Sequence, residues 1–244
     1  MANITRLTSG ATQSSFWQAL GGIGIPDPFF YAMTGDDFLP YQSSHYTVTA
    51  PNGGSVAAIA GSGGQIQFTT GTTPGNYVSI QQPKASFQYV AGKKLAFLVK
   101  FSLADTLNPY GVVGLIQSTT TPNTVTDGFW ISKIPGQRIL TANITTASVN
   151  LASVSYNIPV IPNNTYINVG FVIDRKGNMN IYFGLSVEGS QDQNNVPLGP
   201  FAKIYKNTLS GDYTSALLTP TLALTNIGSG TSGVADFFLA VQER

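Results

Sequence analysis

The sequence has no cysteine, one histidine and few charges. Without cysteine there is no disulfide framework and no thiolate chemistry. His45 stands alone, so neither a zinc site nor a nucleophile–histidine pair finds its ligands, and no serine sits in a Gly-x-Ser-x-Gly elbow. His45 reads instead as a strand residue at a sheet rim. Charged residues make up 9% of the chain, against about 25% in an ordinary soluble domain. The net charge of +1 gives no strong attraction to nucleic acid or to a membrane surface. The pairs Lys93-Lys94 and Arg175-Lys176 are too sparse to line a nucleic-acid groove. No glycine-rich phosphate loop leads into a helix, and no apolar run reaches the roughly 18 residues of a membrane span. The opening MANITRLTSG lacks the apolar stretch of a signal peptide, so synthesis and folding in a cytoplasm are expected.

Acids are scarce as well. The only glutamates are Glu188 and Glu243. Jelly rolls of the concanavalin/laminin-G kind include glycoside hydrolases, which need two carboxylates about 5–9 Å apart. Glu188 and Glu243 are far apart in sequence, and Asp36-Asp37 are neighbours that point to opposite faces of a strand. The expectation is no enzyme, no catalytic residue and no cofactor. Calcium would need several clustered oxygen ligands, and the one tract with that look, Asp192 to Asn195, reads as a solvated loop.

What is present is β pattern. Hydrophobic residues make up 42% of the chain, enough for a sizeable core. The stretch Lys94–Lys133 organises the rest. Leu95, Phe97, Val99, Phe101 and Leu103 alternate with Ala96, Leu98, Lys100 and Ser102, which places the first set on one buried strand face. Each such side chain, fully buried, contributes about 1.5–3 kcal/mol. Gly111 to Gln117 and Phe129 to Lys133 give two more strands, and the three are expected to form one antiparallel sheet.

The clearest hairpin joins Tyr166–Asp174, with Ile167, Val169, Phe171 and Ile173 on one face, to Asn180–Glu188, with Ile181, Phe183, Leu185 and Val187. Arg175–Asn178 supplies its turn. Further strands are expected at 46–49, 65–70, 77–81, 138–144, 149–156, 202–206, 217–225 and 234–242, the last with Phe237, Leu239 and Val241 inward. With no helix longer than about two turns and no internal repeat, the pattern predicts an all-β protein, an antiparallel jelly-roll sandwich over residues 35–244.

Residues 1–34 differ. They show no period of 2 or 3.6 and read as an extended N-terminal arm. Phe16, Trp17, Phe29, Phe30 and Tyr31, with Pro26 and Pro28 fixing the chain between them, suit an interface. They could lie across the domain's own surface or dock on a partner, where aromatic anchors carry much of the binding energy; the arm is expected to hold a sister subunit or another protein.

Several short motifs resemble a group of tailed-phage virion proteins. They are Met1–Gly10, Gly24–Pro28, Asp36–Phe38, Ala91–Phe97, Gly114-Leu115 with Thr126–Gly128, Tyr166–Phe171, and the closing Glu243-Arg244. The likeness is weakest over residues 189–218. The resemblance implies a head decoration, or cement, protein: a jelly-roll homotrimer on the outer capsid surface that clamps neighbouring major capsid protein subunits. The alternative is a carbohydrate-binding module of a phage surface or fibre, with Trp130 or Tyr110 stacking on sugar rings.

Overall fold

A computed structural model of the chain describes residues 31–60, 64–83, 86–119, 121, 124–137, 139–157, 163–186, 202–208, 213 and 215–244. Its strands in chain order are β1 (Tyr31–Asp36), β2 (Thr47–Thr49), β3 (Ser55–Ala58), β4 (Ile66–Thr69), β5 (Tyr77–Gln81), β6 (Leu95–Leu103), β7 (Tyr110–Gln117) and β8 (Gly128–Lys133), continuing with β9 (Ile139–Thr146), β10 (Val149–Asn157), β11 (Tyr166–Ile173), β12 (Asn178–Ser186), β13 (Ala202–Thr208), β14 (Leu218–Thr225) and β15 (Ser232–Glu243). One three-residue 3-10 turn, Ser43–His45, is the helical element among the described residues.

The strands form two antiparallel sheets. The first runs β13-β12-β11-β6-β15-β4-β3, with β1 also beside β15; the second runs β10-β9-β8-β7-β14-β5-β2. Their inner faces meet in one core. Phe97 and Phe171 from the first sheet meet Phe129 from the second, with Phe171 lying 6.0 Å from Phe97 and 6.4 Å from Phe129 between ring centroids. All three are fully buried. The expected jelly-roll β-sandwich is the observed architecture.

The β11–β12 hairpin closes as the alternation predicted, with Ile173 opposite Met179. Asp174 ties its turn, accepting from the Lys176 and Asn178 amides at 2.9 Å each. Ile66, Phe68, Val78, Ile80 and the odd-numbered set of β6 from Leu95 to Val99 are buried in the core; Phe101 is only half-buried.

Four readings are corrected. Strand β6 does not share a sheet with β7 and β8. It lies between β11 and β15, and the 104–109 turn carries the chain across to the second sheet. Period two identifies a strand's faces but not its neighbours. Residues 31–34, assigned to the arm, belong to β1, which runs on to Asp36. The segment YAMTGD has no alternation of its own and is fixed by pairing with Phe238–Glu243. On β15 the inward residues are Ala235, Phe238 and Ala240, while Phe237, Leu239 and Val241 face outward. A bulge between Ala235 and Phe237 shifts the parity, and both faces of β15 are apolar, so alternation alone did not discriminate. His45 ends the 3-10 turn and is exposed rather than sitting in a strand.

Candidate functional site

The outer face of the second sheet is the most organised polar surface described. In register, Ser155, Thr141, Ser132, Val112, Ala223, Ser79 and Thr49 form one row across it. Ser153, Asn143, Trp130, Gly114, Thr221, Gln81 and Thr47 form the next. These are the positions that alternate with the core residues Val113, Leu115, Ile131, Leu140, Leu222 and Ile80, so period two sends them outward.

Small hydroxyl and amide side chains on neighbouring strands hydrogen-bond across the rows. Gln81 Nε2 donates to Thr221 Oγ1 at 2.8 Å, and Thr141 and Ser155 hydroxyls meet at 3.0 Å. Asn143 Nδ2 donates to Ser132 Oγ at 3.3 Å, and Asn143 Oδ1 accepts from Ser153 Oγ at 3.0 Å. The Thr119 amide donates to Gln81 Oε1 at 3.1 Å, which brings the 118–121 loop against one end of the face.

Three half-buried aromatics stand among these groups: Trp130, Tyr110 and Tyr77. Trp130 lies opposite Gly114, and its indole Nε1 donates to Thr145 Oγ1 at 3.3 Å. Gly114 has φ +156°, and a Cβ there would meet the Phe129 carbonyl oxygen and the Trp130 backbone; only glycine fits this approach. Burial raises the Tyr110 phenol above its ordinary pKa, and a hydrogen bond with Ser132 works against that rise. Ser153 and Ser155 on β10 are exposed while Ser79, Thr219 and Thr221 are fully buried. The accessible part of the face is therefore the β8–β10 side.

No Asp or Glu lies on any strand of this sheet. The described carboxylates are engaged elsewhere. The side chains of Asp36, Asp37, Asp105 and Asp127 accept from the backbone amides of Phe38, Leu39, Leu107 and Ala147. Asp174 ties the hairpin turn, and Asp236 pairs with Lys100 at 2.8 Å. Glu243 accepts from Arg175 Nε and from the Lys94 amide, each at 3.0 Å. The Arg175 hydrogen bond holds the Glu243 carboxyl below its ordinary pKa. Burial would raise Asp105, but hydrogen bonds from Leu107 and Asn108 outweigh it and leave that carboxyl lowered. Among the described residues no group of three or more His, Cys, Asp or Glu is placed to hold a metal ion; the Asp192–Asn195 tract, like Glu188, lies outside them.

The same sheet ends in an unusual edge. Edge strands β2 and β3 have three and four residues, β1 ends in Asp36, and β13 carries Lys203 and Lys206. Shortness and charge are the ordinary protections of an edge. Strand β10 has neither: it is nine residues long, VNLASVSYN, and uncharged. Val149 and Leu151 on it are 60% and 45% exposed.

Of the expected interface residues, Tyr31 lies on β1 opposite Glu243. Phe16, Trp17, Pro26, Pro28, Phe29 and Phe30 fall outside the described residues, as does most of the 189–218 stretch. The edge strand was written in the sequence as an uncharged alternating run, but its position at a sheet edge was not.

No known family model matches the chain, and no curated protein matches it. Solved structures do. An endo-1,3-beta-glucanase from Streptomyces sioyaensis aligns with a TM-score of 0.56 at 11% identity, over 89% of this chain and 98% of that one. Arcelin-5, a lectin-like defense protein from Phaseolus vulgaris, aligns with a TM-score of 0.58 at 9% identity, over 88% and 100%. A protein of unknown function from Shewanella oneidensis MR-1 gives 0.58 at 13%, over 88% and 87%. The chain thus shares the sandwich fold of proteins that include glucanases and a lectin-like protein, and at these identities the likeness extends to the fold alone.

Proposed function

We propose that the chain is a structural virion protein that decorates the outer capsid surface as a homo-oligomer and clamps neighbouring major capsid protein subunits. The resemblance of several short motifs to tailed-phage virion proteins suggests the role. The observation that carries it is the β10 edge, nine uncharged residues with exposed Val149 and Leu151. A long, uncharged edge of this kind offers backbone groups for pairing with another chain, most of all over the regular run Ala152–Asn157 beyond its irregularity at Leu151. The engagement of every described carboxylate in a turn, a backbone contact or an ion pair supports a role without catalysis. The test is Leu151→Lys with Ser153→Lys, which charges the edge while leaving the core untouched. The expected result is an unchanged circular dichroism spectrum, a smaller mass by light scattering and loss of co-sedimentation with capsids lacking the protein. A variant that assembles and binds capsids like the parent chain would refute the proposal.

A second reading, glycan binding, is favoured by one observation: Trp130 and Tyr110 are half-exposed among hydroxyl and amide groups on a face without carboxylates. Aromatic rings framed by hydrogen-bonding groups suit sugar rings, and one fold neighbour is described as lectin-like. Calorimetric titration with β-glucan oligosaccharides tests it: saturable binding lost in Trp130→Ala supports it, and heat indistinguishable from dilution overturns it.

A further inference from the structure

Strand β8, GFWISK, closes on a lysine that faces the core. Phe129 and Ile131 are core residues, and period two puts Lys133 on their face. It is 6% exposed. A lysine is almost never buried so far without a charge partner, yet among the described residues Lys133 forms no ion pair. Its Nζ donates to the Leu107 carbonyl oxygen at 2.8 Å, an oxygen that also accepts from the Gly136 amide at 2.7 Å. That uses one of the three donors of an ammonium. The nearby acid is Asp105, but its carboxylate accepts from the Leu107 amide at 2.8 Å and from Asn108. Burial lowers the Lys133 pKa to about 8 against the pull of Asp105. At neutral pH the group is still charged, and its charge is not fully matched.

Beside Lys133 the two sheets part. Phe68 and Val169 from the first sheet and Val113, Ile131 and Leu222 from the second wall an apolar cleft. Lys133 is the one charged side chain among its described lining residues. The cleft is open because small residues meet there. Gly111 lies opposite Lys133 on β7, and Gly233 and Ala235 line the cleft from β15. A Cβ on Gly111 would find nothing nearer than Lys133 Cβ at 3.8 Å. The empty space is about 40 Å³, where one water needs about 10–15 Å³. That is room for about three waters, or for an aliphatic tail of a few carbons. Phe101, half-buried, stands at the opening.

We propose that this cleft binds a short aliphatic carboxylate, its tail between the sheets and its carboxylate on the Lys133 ammonium. Each half of the site selects against other ligands. Apolar walls favour an apolar guest, and a sugar would leave its hydroxyls unpaired there. A neutral hydrocarbon would fill the space but leave the ammonium short of a counter-charge. A carboxylate accepts from the two unused N–H groups in a charge-assisted bond. The small volume limits the tail, since a long chain would have to run out past Phe101. This inference is independent of the capsid and glycan readings, which concern the β10 edge and the outer face of the second sheet.

The test is methyl NMR on the full-length protein, titrated with hexanoate and separately with hexanol. The expected result is saturable shifts at Val113, Ile131 and Leu222 at millimolar hexanoate, with hexanol roughly tenfold weaker for want of the charge. Gly111→Val fills the cleft from a position with room for the side chain and should abolish the hexanoate shifts. Lys133→Met keeps the walls and should bring hexanoate down to the level of hexanol. Should Gly111→Val fail to fold, Lys133→Met alone decides the matter. No saturable shift at these methyls, equal affinity for hexanoate and hexanol, or hexanoate binding unchanged in either folded variant would overturn the proposal.

Discussion

Lys100 Nζ lies 2.8 Å from the carboxylate of Asp236, on the outer face of the first sheet. Asp236 is the extra residue of the β15 bulge, which sits between the pairs Ala235–Phe101 and Phe237–Lys100. Their side chains are 15% and 9% exposed, and Lys100 also stands 5.0 Å over the centroid of the Tyr166 ring. The bulge therefore does two things. It turns Phe238 and Ala240 into the core, and it presents a carboxylate to a lysine that would otherwise carry its charge into an apolar surround. Asp236→Asn keeps the shape and removes the ion pair. A loss of about 1–3 kcal/mol is expected, because a half-desolvated cation is left behind. Urea unfolding measures it, and Lys100→Met with Asp236→Asn should recover part of the loss.

That bulge also marks where the sequence stopped being legible. Alternation along Leu95–Val99 and Ile167–Ile173 identified strands and their inner faces because one face was apolar and the other mixed. On β15 Phe237, Phe238, Leu239, Ala240 and Val241 are consecutive apolar residues, and no pattern tells a core face from a covered outer face. The inserted Asp236 then decides the parity, which only the pairing partner reveals. Similarly, Tyr31–Asp36 becomes a strand through β15 and has no period of its own to show. The candidate face was half legible. Trp130 and Tyr110 stood out as candidate sugar contacts, but apart from Ser132 on β8 the hydroxyls that frame them come from β5, β9, β10 and β14, brought together by registers that alternation does not contain.

The core predictions separate two phenylalanines that look alike in the sequence. Phe171 is fully buried between Phe97 and Phe129, so Phe171→Ala should cost about 3–5 kcal/mol. Phe101 has the same strand parity as Phe97 but is only half-buried, at an apolar opening between the sheets that also involves Leu103, Lys133 and Leu140. Phe101→Ala should cost less than about 2 kcal/mol, since only part of its transfer term is at stake. Equal losses for the two would mean that the opening is closed in solution.

Gly170 tests the close packing on the outer face of the first sheet. It lies on β11 between Leu98 and Tyr182. A Cβ there would run into the Phe97 carbonyl oxygen and approach Leu98 Cα at 3.1 Å. Gly170→Ala should therefore destabilise by about 1–3 kcal/mol, the ordinary cost of overpacking. Gly228, where a Cβ meets nothing within 4 Å, serves as control, and Gly228→Ala should stay within about 0.5 kcal/mol. Thermal melting of the pair gives the comparison.

The pH dependence of stability should carry the signature of Lys133. This residue ends β8 on the core side, is 6% exposed, and donates from Nζ to the Leu107 carbonyl oxygen at 2.8 Å. Burial lowers its pKa to about 8, with the Asp105 carboxylate opposing the shift. In the unfolded chain a lysine titrates near 10.4. Between about pH 8 and 10 the unfolded state thus binds more protons than the folded state, and stability rises with pH over that window. Below pH 8 both states carry the proton, so the cost of holding the charge inside is fully present. Above pH 10 the sign reverses. Burial pushes Tyr182 and Tyr213 up to about 12, so phenols ionise first in the unfolded chain and favour it. The urea midpoint should therefore climb from pH 7.5 to 9.5 and fall beyond 10. Lys133→Met should abolish the climb and keep the fall. A variant whose midpoint follows the parent's across the whole range would show that the Lys133 ammonium is solvated in the folded protein, and that the opening beside it admits water freely.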